Sequence, residues 1–389
     1  LHQFTETLEK KKISFNSWTN LMSTKKDKFS IKDKFYMDLA LDLARSREGL
    51  TGTNPSVGCI IVKHDKIISV GQTSYNGRPH AEVNAIKNSI ENLNDATMYV
   101  TLEPCSHRGV TPPCTSLIIK SKLKEVIYSV IDIDQRVKGK TYKILKSKKI
   151  KVRTGLLKEK VKQFYFPYFF NRQKKLPYVS GKIAISKNNL IYSKKNKKIT
   201  NTKSDKFTHF LRYKNDSILI SYKTLNKDNP KLNCRLKGLE KFSPKRIILD
   251  NKLNTNTNSY LFKTANKENT IFFYNEAHKS KILEFKKSKI TMVKSSINNN
   301  KKFNPTIIFK KLYTLGCRNV LVEGGDELTK NFIRNRIFNQ FFLFKGSKNL
   351  SKSFEFKEFS GLKILKKNYK KRLKIHSNFG KDTITLYKN

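Results

Sequence analysis

The chain has 389 residues, 37% of them hydrophobic, and a formal net charge of +51. That length suits two or three ordinary domains, and 26 Phe with 16 Tyr supply enough core material to exclude a disordered chain. No apolar run approaches the ~20 residues of a membrane span, and five cysteines at irregular spacing suit a reducing cytoplasm better than a disulfide framework.

The charge invites a nucleic-acid or anionic-surface binder. Against that, the lysines are spread along the whole chain, with no basic arm of interleaved aromatics. Lys, Asn, Ile, Phe and Tyr, all abundant here, share codons rich in A and T, so biased coding accounts for the charge without a dedicated partner. Residues 1–32 read as a polar N-terminal extension without the apolar stretch of a signal peptide. The chain opens on Leu1 and its first methionine is Met22, which suggests an alternative start codon or an upstream extension. Residues before about Ser30 are expected to be poorly ordered.

From residue 33 the pattern becomes regular. Asp33–Gly49 has helical spacing and ends on a glycine. "VGCIIV" and "KIISVG" flank a turn at Lys63–Asp65 and read as a hairpin. Helix "AEVNAIKNSI", strand "ATMYVTLEP", helix "PPCTSLIIKSKL", strand "EVIYSVID", helix "KTYKILKSKK" and strand "IKVRTG" follow, predicting a mixed sheet covered by helices on both sides. "LLKEKVKQFYFPYFFNRQKKLP" reads as a helix and connector, with a domain boundary near Asn171–Leu176 that divides 33–171 from 172–389. Beyond it, strands "YVSGKIAIS", "SILIS", "KRIILD", "TIFFY", "KITMVK", "NVLVEGG" and "QFFLF" alternate with helices "SDKFTHFLRYK", "NPTIIFKKLYTLG" and "DELTKNFIRN", and the chain closes on a hairpin through "GKDTITLYKN". This is a second α/β domain.

The scarce Cys, His and Pro converge between Pro79 and Cys114, in "PHAEVNAIKNSIENLNDATMYVTLEPCSHRGVTPPC". His80 opens a helix, Cys105 follows Pro104 at a strand end, and Cys114 sits in the first turn of the next helix, where a thiolate is favoured. One imidazole and two thiolates are a zinc ligand set that leaves the fourth tetrahedral position open, and zinc lowers the pKa of water towards ~7. Glu82 is then free of the metal and able to carry a proton from the attacking water to a leaving amine. A structural zinc with His107 as fourth ligand is the alternative. Cys59, Cys234 and Cys317 read as core.

This stretch resembles the zinc deaminase superfamily, whose signature is His-x-Glu followed by Pro-Cys-x-x-Cys. Here eight residues separate the cysteines. That longer loop, with "TNPSVGCIIV" and "GRPHAEVNAI", is similar to the deaminase half of the bifunctional riboflavin biosynthesis deaminase/reductase family, and argues against a nucleic-acid deaminase. The resemblance implies a cytidine-deaminase-like first domain and a pyrimidine ribotide substrate, diaminohydroxyphosphoribosylaminopyrimidine. It implies that Asn54 and His107 contact this substrate while the intercysteine loop closes over its phosphate. The family's Lys or Arg in that loop is Val110 here, with Arg108 or His107 as the nearest substitutes, and the "DPNP" of relatives reads "DIDQ" at Asp132–Gln135.

In the second domain no GxGxxG follows a strand, so a Rossmann site is unsupported. "VLVEGG" (Val320–Gly325) alone reads equally as a phosphate-binding turn or a glycine turn. "DSILISYKTLNKDNPKLNCR", "KRIILD" and "VLVEGG" look like the reductase half of the same family, which implies a dihydrofolate-reductase-like fold, NADPH and a homodimer. It implies Ile185, Lys198, Thr224, Asp228, Asn251 and Gly325 for the cofactor, and Asn196, Arg212, Leu232, Arg235 and Glu323 for the ribosyl phosphate, with Lys182 at a position held by lysine in relatives. "SKNN" at Ser186–Asn189 and "NKKIT" at Asn196–Thr200 depart from the family's motifs, which leaves a second reading open, a reductase half kept for structure or dimerisation alone.

Overall fold

A computed structural model describes residues 28–194, 198–353 and 355–388. The expectations for the stretch before residue 28 and for Asn196 fall outside the described residues.

Helix α1 (Ile31–Ser46) starts two residues earlier than its apolar spacing suggested, because Ser30 and Asp33 form a reciprocal cap: the Ser30 hydroxyl accepts from the Asp33 N–H, and the Asp33 carboxylate from the Ser30 N–H. The hairpin is β1 (Gly58–Lys63) and β2 (Lys66–Gln72), followed by α2 (Ala81–Lys87), β3 (Thr97–Leu102), α3 (Cys114–Lys120), β4 (Glu125–Val130), α4 (Lys140–Ser147) and β5 (Lys151–Thr154). The sheet order is β2-β1-β3-β4-β5, antiparallel at the hairpin edge and parallel from β3 onward. Tyr36, Met37 and Ala40 of α1 bury one face with Ile60, Tyr99 and Ile127. Ala81, Ala85, Ile118 and Leu145 join Cys59, Met98 and Val126 on the other. A Cβ on Gly58 would collide with the Ala40 carbonyl and one on Gly71 with the Ala81 carbonyl, so both glycines let a helix lie close on the sheet.

The expected single helix after β5 is two, α5 (Lys158–Phe164) and α6 (Phe166–Lys174). Pro167, in the first turn of α6, cannot continue a preceding helix. Tyr165 at the break is buried, its hydroxyl donating to the Ser56 carbonyl and paired with Thr101 Oγ1 at 2.6 Å.

A nine-stranded sheet follows: β6 (Tyr178–Ile185), β8 (Ser217–Ser221), β9 (Lys245–Leu249), β10 (Thr270–Tyr274), β11 (Thr291–Lys294), β12 (Asn319–Val322), β13 (Gln340–Lys345), β15 (Lys371–Lys374) and β16 (Thr383–Lys388). Its order is β11-β10-β9-β8-β12-β6-β13-β16-β15, parallel except at β16 and β15. Runs such as "SILIS" and "RIIL" are continuous because both faces of a parallel sheet are buried. Helices α7 (Thr202–Lys214), α11 (Pro305–Thr314) and α12 (Asp326–Arg334) match expectation. Four further helices do not appear in the sequence reading: α8 (Tyr222–Asp228), α9 (Tyr260–Lys263), α10 (Lys279–Lys287) and α13 (Leu362–Asn368). Nor does the small ladder of β7 (Leu190–Ser193) with β14 (Phe356–Glu358).

The two sheets meet through an aromatic stack. The Arg47 guanidinium lies 3.9 Å from the Tyr75 ring centroid, and Tyr75 stacks on Phe242 at 5.1 Å. Beside it Leu50, Tyr213 and Cys234 are buried together, and Lys214 donates to the Arg45 carbonyl at 2.7 Å.

Candidate active sites

The first site is built where α2, the end of β3 and α3 converge. His80 is the residue before α2, and the Asn84 amide donates to the Gln72 carbonyl (2.7 Å) and Ser74 Oγ (2.9 Å), pinning that helix to the edge strand. Cys105 leaves β3 behind Pro104, and its carbonyl accepts from the Thr115 N–H, which draws α3 and Cys114 towards it. His80 Nδ1 then lies 3.6 Å from Cys105 Sγ and 3.4 Å from Cys114 Sγ. A tetrahedral ion with Zn–S near 2.3 Å and Zn–N near 2.0 Å requires an N–S separation of about 3.5 Å. The three ligand atoms lie within 4.8 Å of one another, and they are the one such cluster found among the described residues. His107 does not join it. Instead His107 lines the same cavity, with its Nδ1 buried and without a partner.

Hydrogen bonding from Cys114 and then from His80 pulls the Cys105 thiol well below its usual range, against the effect of burial. The same Cys105 contact, together with burial, pushes Cys114 up. A divalent ion binds both sulfurs as thiolates, so its binding releases whatever protons they carry. Glu82 is in the first turn of α2 and buried, and burial raises its carboxyl to about 6 in spite of His80. A cavity of about 230 Å³ opens over His80, Glu82 and Cys105 and is also lined by Asn54 and His107. Asn54 donates its amide to the Gly77 carbonyl at 3.0 Å. Glu103 accepts from the backbone N–H groups of Asp132, Gly139 and Thr141, fixing the loop after β4 as the far wall.

Arg78, Tyr168 and Arg172 also line this cavity and were not singled out in the sequence. Tyr168 and Arg172 belong to α6, a segment that read as a connector and carries no motif. Val110 stands 87% exposed on the intercysteine loop.

The second site is a cavity of about 620 Å³ along the ends of β6, β8, β9 and β12, lined by Thr224, Asp228, Asn251, Glu323, Gly325 and Lys182. Glu323 receives a two-pronged ion pair from Arg212, Nε to Oε1 at 2.8 Å and Nη2 to Oε2 at 3.0 Å, while Arg212 Nη1 donates to the Asn233 carbonyl. Burial opposes ionisation of Glu323, but the Arg212 guanidinium overrides it and holds the carboxyl at about 2. Burial pulls the Lys182 ammonium below its ordinary range. Asn251 Oδ1 is buried without a partner, and a Cβ on Gly325 would meet nothing nearer than Thr224 Oγ1 at 3.5 Å, so the cavity offers an unused acceptor and an open backbone turn to a ligand.

Five expected residues lie elsewhere. The Ile185 and Leu232 side chains are core, Arg235 is exposed, Lys198 pairs with Asp205 at 3.4 Å, and Arg212 reaches the cavity only through Glu323. Sequence reasoning missed Tyr192 from the small β-ladder and Lys302 and Phe303 from an Asn/Lys-rich loop, all of which line the cavity.

Residues 30–130 match the cytidine and deoxycytidylate deaminase zinc-binding region, and residues 191–384 match the RibD C-terminal domain. A riboflavin biosynthesis protein RibD from Aquifex aeolicus is 32% identical over 358 residues, 92% of this chain and 98% of the relative. A solved structure from Thermotoga maritima, described as a diaminohydroxyphosphoribosylaminopyrimidine deaminase/5-amino-6-(5-phosphoribosylamino)uracil reductase, superposes with a TM-score of 0.75 at 30% identity, covering 92% of this chain and 98% of that one. An Acinetobacter baumannii RibD structure with the same coverage gives a TM-score of 0.79 at 24% identity, a likeness of fold. The first half is accordingly cytidine-deaminase-like and the second dihydrofolate-reductase-like. At this identity over nearly the full length of a RibD chain, the protein belongs to the RibD family of riboflavin biosynthesis proteins.

Proposed function

We propose that this chain is a bifunctional enzyme of riboflavin synthesis, with the deaminase in residues 33–171 and the reductase in 172–389. It hydrolyses the exocyclic amine of diaminohydroxyphosphoribosylaminopyrimidine, then reduces the ribosyl group of the product to a ribityl chain with NADPH. The observation that carries this reading is the His80–Cys105–Cys114 trio beside a buried carboxylate that is not one of its members.

His80, Cys105 and Cys114 would hold the zinc, which when bound lowers the pKa of water and so supplies a nucleophile at neutral pH. Glu82, raised to about 6 by burial, is poised to accept a proton near neutrality and to return it. It takes the protons of the attacking water in turn, passing one to the ring nitrogen and the other to the amine, so that ammonia leaves and the ring keeps the oxygen as a carbonyl. Asn54 and His107 Nδ1 supply polar contacts for the ring, and the wall fixed by Glu103 excludes bulk water.

In the second cavity Gly325, Thr224 and Asn251 would hold NADPH, which supplies a hydride when bound. The Arg212–Glu323 pair and Lys182 form a rigid polar floor against which the ribose is set. A cytoplasmic location fits five free cysteines, and among the described residues no helix is long and apolar enough to cross a membrane. A homodimer through the reductase half belongs to the same reading, and light scattering at twice the chain mass tests it.

The deciding experiment supplies the ribotide with and without NADPH and follows ammonia release and NADPH oxidation separately. Zinc-loaded protein releases ammonia without NADPH, and chelated protein oxidises NADPH only when given the deaminated product. Deamination of an RNA oligonucleotide in place of the ribotide overturns the reading. Ammonia release with no NADPH oxidation leaves a deaminase with a non-catalytic second half.

A further inference from the structure

We propose that Arg78 is the anion-recognising residue of the deaminase cavity, gripping the phosphate of its ribotide. This rests on the ribotide reading above. At about 230 Å³ the cavity is smaller than the ~300 Å³ at the low end of small-molecule sites. With the pyrimidine seated over His80 and Glu82, the phosphorylated tail therefore reaches the rim, which the intercysteine loop forms at Gly109, Val110 and Thr111. Val110 brings no charge to it.

Three arginines line this cavity. Arg136 is committed to Asp134, with Nε to Oδ1 at 3.0 Å and Nη2 to Oδ2 at 2.6 Å. Arg172 lies over the Tyr168 ring, 5.4 Å from its centroid, and donates to the Thr53 carbonyl at 3.4 Å. Arg78 differs from both. Its one partner among the described residues is neutral, Thr111 Oγ1 at 2.6 Å from Nη1. That bond uses one of five donors in the guanidinium and tethers the group to the rim loop. Its Nη2 lies beside Gly109, 3.7 Å from where a Cβ would stand, and that residue has no side chain to cover it. A planar fork held by one edge presents the others to a phosphate bidentately. Because Arg78 precedes His80 by two residues, the anion grip and the first zinc ligand sit on one short segment, which sets the distance from phosphate to reacting ring.

The test compares kcat/KM for the ribotide and for its dephosphorylated riboside, by ammonia release, with zinc content measured alongside. In the wild type the ribotide is favoured. R78Q lowers the ribotide-to-riboside ratio by about 10- to 100-fold, mostly through KM, with zinc retained. R78K, which keeps a point charge without the fork, lowers it by a smaller factor and serves if R78Q does not fold. R78Q/V110K regains part of the ratio by returning a cation to the rim. An unchanged ratio in both R78Q and R78K, with zinc in place, overturns the proposal. A wild type that deaminates neither compound defeats the ribotide reading instead.

Discussion

Replacing Arg212 with Met tests the floor of the reductase cavity. The Arg212 and Glu323 side chains are 11% and 13% exposed, so water screens their pairing little. Glu323 is held at about 2 against an ordinary 4.5, a difference of about 2.5 pH units, or roughly 3 kcal/mol at 1.36 kcal/mol per unit. Removing the guanidinium strands a buried carboxylate, a change that typically costs about 3–5 kcal/mol. For a domain of this size that lowers Tm by roughly 10 °C. The sign with pH is fixed: a depressed carboxyl contributes its stability above about 4.5 and loses it as pH falls towards 2. In R212M the stranded carboxyl rises and takes up a proton, so the stability gap to the wild type is widest near pH 7 and narrows towards pH 4. Thermal unfolding followed by circular dichroism between pH 4 and 7 measures it. R212M/E323Q, with both charges gone, should recover about 2 kcal/mol relative to R212M. A double variant no more stable than the single one, or a gap that widens on acidification, refutes the reasoning.

E82Q should lower ammonia release roughly 10²- to 10⁴-fold with stoichiometric zinc retained by metal analysis, whereas a purely structural zinc would leave turnover intact. C105S or C114S should lose zinc and deamination yet still oxidise NADPH when given the deaminated product, as read by absorbance at fixed enzyme concentration. G71A should push α2 off the sheet, since the new Cβ would collide with the Ala81 carbonyl and the Ala85 N–H. It should cost about 1–3 kcal/mol by calorimetry and weaken zinc binding in a competition titration, because His80 and Glu82 ride on that helix.

The zinc trio was legible because its members lie within one strand-and-two-helix span whose caps and prolines mark the turns. The parallel strands were legible for a related reason, since continuous Ile, Val and Phe runs survive even in a lysine-rich chain. What composition hid were short lysine-rich helices with little buried apolar surface, such as α10, where only Phe285 is buried. Tyr222–Asp228 was obscured by following β8 without a loop, with Ser221 serving as both strand end and cap. At the sites, Arg212 and Glu323 are 111 residues apart, so no local spacing relates them and only a family resemblance could pair them. Tyr168 lines the deaminase cavity through tertiary folding alone, whereas Arg78, two residues before His80, is local to the motif but carries no signal of its own.

The Arg47–Tyr75–Phe242 stack has an implication for gene architecture. Separating the two halves of this polypeptide would lay Leu50, Tyr213 and Phe242 open to solvent and release the segment that leads into His80. Separately encoded versions of these two catalysts would therefore need polar replacements at those positions, or another protein to shield them, before fission could be tolerated.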